Sequence, residues 1–439
     1  MASDRGDTVT RANALQQNNA TIWRRAASAA LTAAVLLGLG VAAIQSAQAQ
    51  TFTVLYTFTG GSDGSTPEAG LVRDTAGNLY STTYQGGDVQ GGDVKCSDVT
   101  NGCGVVFKLN PTGKETVLHT FLGGPSDGAN PAGGLVRDAQ GNFYGTTNYG
   151  HEPAGYGTVF ELSKTGKETV LHAFSGGSSD GANPLGGLIR DNDGNLYGTT
   201  IAAGSSDNGT IFKVSKTGKE TVLHSFAGYP SDGANPTLAG VVMDKDGNLY
   251  GVTYFGGRGA RCPGGCGALY KLSKSGSYTV LHSFAGGKKD GCWPYGTPVI
   301  DANGNLYGTA VACGPSNAGI VWRVSKKGTE TVLHNFAGGS SDGGYPEAGV
   351  IMDAQGNLYG DTTGGGDLSC EIVGDNGCGV VYELNTKGVL TLLHAFSGPD
   401  GAFPCGVLMR DADGIFYGTA SGGGTGGGAG NGTVWKLTP

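Results

Sequence analysis

The sequence predicts an all-β fold: a seven-bladed β-propeller with four-stranded blades, its ring closed by the N-terminal strand. Three observations carry this prediction. A motif of the type "DNDGNLYGTT" recurs, with its leading aspartate at Asp74, Asp138, Asp191, Asp244, Asp301, Asp353 and Asp411, at spacings of 64, 53, 53, 57, 52 and 58. Repeats of this length are units that bury their faces only against neighbours. Each unit holds four short runs rich in β-branched and aromatic residues; in the third these are "GGLIRD", "NLYGTT", "GTIFKV" and "ETVLHSF". Runs bounded by Gly, Asp, Asn or Pro read as strands, and four per unit in seven units make a propeller. The third observation is a gap. The last unit stops at "GTVWKLTP" without its fourth run, and that run stands at residues 51–58 as "TFTVLYTF". Pairing the two termini completes the seventh blade and removes an exposed strand edge.

The elements follow in chain order. Residues 1–49 hold Arg24 and Arg25, an apolar run over residues 26–44, and small residues at Ala47 and Ala49. This is the pattern of a secretory signal peptide cut after Ala49, leaving one propeller domain over residues 50–439 and no membrane insertion after cleavage. Removal takes four basic and two acidic residues from totals of 28 and 36, leaving 24 against 34 and a net charge of −10. An acidic surface disfavours nucleic acid and anionic membranes. The 84 glycines suit a turn-rich chain, and the periodic Leu, Val, Tyr and Phe require a packed one.

Within a unit, the innermost strand ("GLVRD") lines the channel and the outermost ("ETVLHxF") lies at the rim. Strand direction alternates. Tight turns of the type "D-x-x-G-N" and "K-T-G-K" therefore share one face. The other face collects the longer connections, "GGSSDGANP" and a variable loop that reaches its greatest length over residues 84–103. Variable loops on a rigid scaffold are where binding sites tend to sit, so this is the expected working face.

The set "D-x-x-G-N-L-Y-G-T-T", "G-T-V-F-K-L" and "G-K-E-T-V-L-H-x-F" followed by "S-D-G-x-x-P" resembles the Gloeobacter/Verrucomicrobia-type tandem repeat, the GloVer family, over residues 51–439. The resemblance implies a secreted or surface-displayed bacterial protein and brings no catalytic residues with it. Members often carry a C-terminal sorting anchor; this sequence departs from that pattern by ending at the closing strand. The "GNLYGTT" strand is also similar to propeller repeats of extracellular sensor domains, a fold-level analogy with glycan sensing.

The regular positions are expected to be scaffold. His119, His172, His224, His282, His334 and His394, with Tyr56 in the seventh place, recur on outermost strands that point apart around a ring. They cannot share one ion, and structural hydrogen bonds are expected instead. The Asp-Gly aspartates Asp63, Asp127, Asp180, Asp232, Asp290, Asp342 and Asp400 read as turn caps. No metal and no cofactor are expected.

Departures from the repeat are the candidates for function. Arg73, Arg137, Arg190 and Arg410 end the innermost strands of four consecutive blades, an arc of cations that could hold a carboxylate or sulfate. Glu68 and Glu347 stand at the other end of that strand, as carboxylates suited to acid–base work on a sugar. Tyr254, Phe255, Trp293, Tyr295 and Tyr345 cluster in the long loops of blades four to six beside Arg258 and Arg261, a composition that suits sugar stacking or protein contact. His151 and Glu152 stand alone in blade two. Nine cysteines in an exported chain read as disulfides. Cys96/Cys103, Cys262/Cys266 and Cys370/Cys378 each fall in one loop, Cys292/Cys313 in neighbouring loops, and Cys405 is left over. The reading is a secreted monomer, extracellular or periplasmic, that recognises a glycan or a surface protein. The alternatives are a polysaccharide hydrolase or lyase, and a structural envelope protein.

Overall fold

A computed structural model describes residues 50–87, 102–124, 126–151, 155–238, 240–370, 377–424 and 430–439. The leader, Cys96 and Glu152 lie outside the described residues. Among the described residues every regular element is a β-strand. They form seven four-stranded antiparallel sheets arranged as a ring, a seven-bladed propeller. In blade three the order from the channel outward is Ile189–Arg190, Leu196–Thr200, Thr210–Val214 and Glu220–Ser225. Blade seven is Met409–Arg410, Phe416–Ala420, Thr433–Thr438 and then Thr51–Thr57 from the opposite terminus. Thr51 pairs with Thr438 and Thr57 with Thr433, so the strand at residues 51–57 closes the ring as predicted.

Two rings of aromatic side chains explain why these residues form these sheets. The third strands bury Phe107, Phe160, Phe212, Tyr270, Trp322, Tyr382 and Trp435 almost completely. Each of the last six faces a glycine on the second strand, for example Gly308 opposite Trp322. A Cβ there would meet the indole at 2.5 Å, so the ring lies flat over bare backbone. The phenylalanine ending "HxF" then meets the third-strand aromatic of the next blade edge-on. Phe121–Phe160 centroids are 5.3 Å apart, Phe336–Tyr382 5.3 Å, and Phe58–Phe107 5.1 Å. All seven blade junctions carry this contact, including the one across the chain termini. Edge-to-face pairs contribute about 0.5–1.5 kcal/mol each beyond burial.

The short-turn face is built on the repeated aspartate. Asp74 accepts hydrogen bonds from the backbone N–H groups of Ala76 and Asn78 at one oxygen, and from Asn78 Nδ2 and Tyr80 Oη at the other. This explains the spacing of Asp, Asn and Tyr in the motif. The long-loop face holds an element beyond the four strands read from the sequence. The glycine of the Asp-Gly pair and the residue after it form a short ladder with the start of the second-to-third-strand loop, as in Gly181–Ala182 with Ala202–Ala203; blades one and seven have a single bridge there. In blade five these ladders merge with the main strands into Gly291–Ile300 and Leu306–Cys313. The long-loop face is therefore hydrogen-bonded to the scaffold.

Candidate functional site

The repeated histidines and aspartates do form structural contacts, at the blade junctions. His119, His172, His224, His334 and His394 place Nε2 within 2.8–3.3 Å of the Asp-Gly carboxylate that follows in sequence, and Tyr56 Oη donates to Asp63 at 2.9 Å. The same carboxylates cap backbone N–H groups; Asp232 accepts from Ala227 and Gly233. A β-bulge in every outermost strand, such as that between Val106 and Phe107 in the pairing register, re-aims the histidine toward its partner.

The repeat breaks along one arc. The residue before the proline of each "DGxxP" turn takes a left-handed backbone. In blades two to four it is Asn130, Asn183 and Asn235, with φ of 57°, 57° and 50°. Each asparagine donates Nδ2 to a carbonyl of the preceding blade, at Tyr84, Asn148 and Ile201, over 2.8–2.9 Å. Asparagine tolerates this conformation, and the hydrogen bond ties blade to blade. Blades five, six, seven and one carry Trp293, Tyr345, Phe403 and Thr66 instead, at φ of 56–59°. Three aromatics thus hold a backbone that ordinary L-residues avoid and have no amide to make the bond. The left-handed backbone belongs to the repeated turn in all seven blades; what changes along this arc is the side chain that occupies it.

The residue after the proline breaks along the same arc. Blades two to four have Ala132, Leu185 and Thr237; blades five, six, seven and one have Tyr295, Glu347, Cys405 and Glu68. Glu68, Glu347 and Cys405 line one cavity of ≈ 250 Å³ at the channel, walled elsewhere by small and apolar residues such as Ala132, Leu188 and Leu238. Burial, and then the charge of Glu347, push the Glu68 carboxyl up to about 7. The Cys405 thiol is pushed well up by burial and then by Glu68, Asp361 and Glu347.

The aromatic cluster stands beside this cavity, whose lining includes Gly296, the residue after Tyr295. Tyr254 stacks on Trp293 with centroids 5.6 Å apart and planes within 9°, and meets Tyr295 edge-on at 6.0 Å. The phenols of Tyr254 and Tyr295 are both raised, by burial first and then by Glu347. Two groups read separately from the sequence, the glutamates and the aromatics, therefore lie within electrostatic reach of each other, while Tyr254, Trp293 and Tyr295 stay outside the cavity lining. Tyr345 packs against Gly364.

Sequence reasoning missed Asp361. It replaces the first threonine of "GTT" in blade six, where Thr309 and Thr419 donate to the carbonyls of Ala348 and Ala69 in the next blade. Asp361 is 1% exposed, and neither carboxyl oxygen has a hydrogen-bond partner. Burial, and then Glu347, raise it well above the usual carboxylate range. The signal was present as the change from "GTT" to "GDT". Phe403 was missed as well, because the pre-proline position reads as turn.

Other candidates lie elsewhere. Arg73, Arg137, Arg190 and Arg410 are exposed at the opposite, short-turn end of the innermost strands. Arg73 reaches Asp411 and Arg410 reaches Asp353, both at 3.9 Å, and all four lie over aromatic rings of their own or the preceding blade at 5.2–5.9 Å. Arg258 and Arg261 are exposed on the loop closed by the Cys262–Cys266 disulfide, with Arg261 against Gly287. His151 sits apart on blade two. Disulfides also join Cys292 to Cys313 and Cys370 to Cys378; Cys103 is disulfide-bonded and Cys405 is free.

No curated protein matches the chain in sequence. Among solved structures, the chain is similar in fold to a puromycin hydrolase (TM-score 0.50, 13% identity), covering 84% of this chain and 52% of that one. It spans about half of that enzyme. It also aligns with a gluconolactonase of Xanthomonas campestris (TM-score 0.40, 12% identity, 89% and 90% covered). A third match is the extracellular domain of a candidate hybrid two-component system from B. thetaiotaomicron (TM-score 0.49, 12% identity, 89% and 41% covered). At such identities the likeness is one of fold. The Gloeobacter/Verrucomicrobia repeat profile matches residues 94–286 and 240–439. With seven copies of the unit built as seven blades, this chain belongs to the Gloeobacter/Verrucomicrobia repeat family.

Proposed function

We propose that this protein is an exported recognition module that takes a sugar ring at the mouth of its channel. The observation that supports this most is the position of the Tyr254–Trp293–Tyr295 cluster beside the Glu68–Glu347 cavity: Gly296, next to Tyr295, lines it, and Glu347 raises the phenols of both tyrosines. An aromatic face packs against the C–H face of a pyranose, and carboxylates accept from its hydroxyls. Export rests on the signal-like leader, with the Cys262–Cys266, Cys292–Cys313 and Cys370–Cys378 disulfides as support. The test is a glycan-array and polysaccharide pull-down screen with residues 50–439. Saturable binding that Trp293→Ala weakens about tenfold or more supports the reading, as expected where an aromatic anchors a contact. A blank screen, or hits indifferent to Trp293, defeats it and turns attention to surface-protein partners.

One observation favours a second reading, a polysaccharide hydrolase or lyase. Glu68 is held near pH 7 beside Glu347, the arrangement a general acid needs. Release of new reducing ends on an array hit, abolished in Glu68→Gln, would establish it. Binding without release leaves the recognition module.

A further inference from the structure

Each blade junction places a third side chain beside the histidine–aspartate or tyrosine–aspartate pair, from the start of the next outermost strand. It is Glu115 at the Tyr56–Asp63 junction, then Glu168, Glu220, Tyr278, Glu330, Leu390 and Phe52. Tyr278 and Phe52 stack on His224 and His394 at 3.8 and 3.6 Å. Five of the six histidine junctions close with a direct histidine–aspartate hydrogen bond.

The junction of blades four and five is different. His282 Nε2 stands 3.9 Å from Asp290 Oδ2 and 3.8 Å from Glu330 Oε2. The three ligand atoms lie within 4.8 Å of one another. His282 Nε2 and Glu330 Oε1 are buried with no hydrogen-bond partner. Asp290 is anchored by the backbone N–H groups of Ala285 and Gly291, both at 2.6 Å, which fixes its carboxylate toward the gap. Ligands each about 2.0–2.2 Å from one ion stand up to about 4 Å apart, so these separations leave room for a metal between the groups.

We infer that His282, Asp290 and Glu330 form a site for one divalent transition ion, which clamps the outer strands of blades four and five. One imidazole and two carboxylates are a donor set for Zn²⁺, with water completing the tetrahedron. The equivalent histidines of the ring do not converge. This site instead combines one of them with two acids, one of them from the neighbouring blade. It is independent of the channel-mouth reading. The His172–Asp180–Glu220 cluster is similar in composition, but there the histidine and aspartate already meet at 3.2 Å.

The experiment uses untagged residues 50–439, stripped with chelator and titrated with Zn²⁺ by calorimetry, with bound metal counted by mass spectrometry. The test variants are Glu330→Leu, which installs the residue that blade six carries at this place, and the near-isosteric Glu330→Gln. The expected result is one tight equivalent of Zn²⁺ that raises Tm, weakened about 100-fold or more in both variants. Leu390→Glu at the blade five–six junction, where the histidine–aspartate bond is closed, creates no comparable site. No saturable Zn²⁺ binding, or binding equal in wild type and Glu330→Gln, overturns the inference. Glu330 would then be a buried acid donating its proton to Asp290.

Discussion

Replacing Trp293 with asparagine separates a binding wall from a packing residue. The backbone of Trp293 matches that of Asn130, Asn183 and Asn235; its N–H donates to Cys266 as theirs donate to Cys103, Tyr156 and Asn208. Asparagine at 293 would reach the Tyr254 carbonyl, the counterpart of the Tyr84, Asn148 and Ile201 acceptors. Two terms favour the variant. Left-handed backbone costs an ordinary residue about 1–2 kcal/mol, most of which asparagine escapes. One neutral hydrogen bond adds about 1 kcal/mol. Two terms oppose it. Loss of the Tyr254 stack costs about 0.5–1.5 kcal/mol. Loss of a half-buried indole costs about 1–1.5 kcal/mol, half the value for full burial. The balance lies within about 1 kcal/mol of zero. Scanning calorimetry should therefore find Tm within about 2–4 °C of wild type, while binding to the array-selected glycan is lost. A stability loss above about 3 kcal/mol would refute the reasoning and make Trp293 part of the core.

Three further outcomes follow from the same geometry. Gly308→Ala places a methyl group 2.5 Å from the Trp322 ring and should lower stability by about 1–3 kcal/mol in urea titration; an unchanged midpoint would show that the indole can yield. Phe52→Ala removes the stack on His394 and the contacts with Phe396 and Trp435 in the closing strand, for a loss of about 2–4 kcal/mol. Amide exchange over residues 433–438 should then accelerate more than in blade three, and uniform acceleration would argue against local opening of the ring. Glu115, Glu168 and Glu220 are pushed up to about 7 by burial and then by Asp63, Asp127 and Asp180. Their folded pKa exceeds the unfolded value of 4.5, so the folded state holds the proton more tightly. Their contribution is complete below about pH 4.5 and is lost as pH rises through 7. The urea midpoint should fall across that window, and less so in a Glu115→Leu, Glu168→Leu, Glu220→Leu variant; equal slopes would remove these groups as the cause.

Blade number, strand order, ring closure and the Cys262–Cys266, Cys292–Cys313 and Cys370–Cys378 pairings were legible in the sequence. The first three depend on local periodicity, which a seven-fold repeat displays seven times; the disulfides follow from cysteines that share a loop or stand in neighbouring loops. Even the missing strand at residue 439 was recoverable, because its counterpart at Thr51–Thr57 keeps the motif. The candidate residues Glu68, Glu347, Tyr254, Trp293 and Tyr295 were legible too, as departures from the repeat, but only as separate groups. Tertiary structure decided that the two glutamates line one cavity and that Tyr254 and Tyr295 come within reach of the Glu347 charge. Glu68 and Glu347 are far apart in sequence and on blades separated by the seventh, and only the diameter of a closed ring brings both to one cavity. The same holds for Asp361, whose burial the motif does not reveal, and for His282 and Glu330, which face each other across a junction. A repeat records what each blade requires of itself. Contacts between unlike residues of different blades depend on the angle and depth at which the blades pack, and no single unit encodes those.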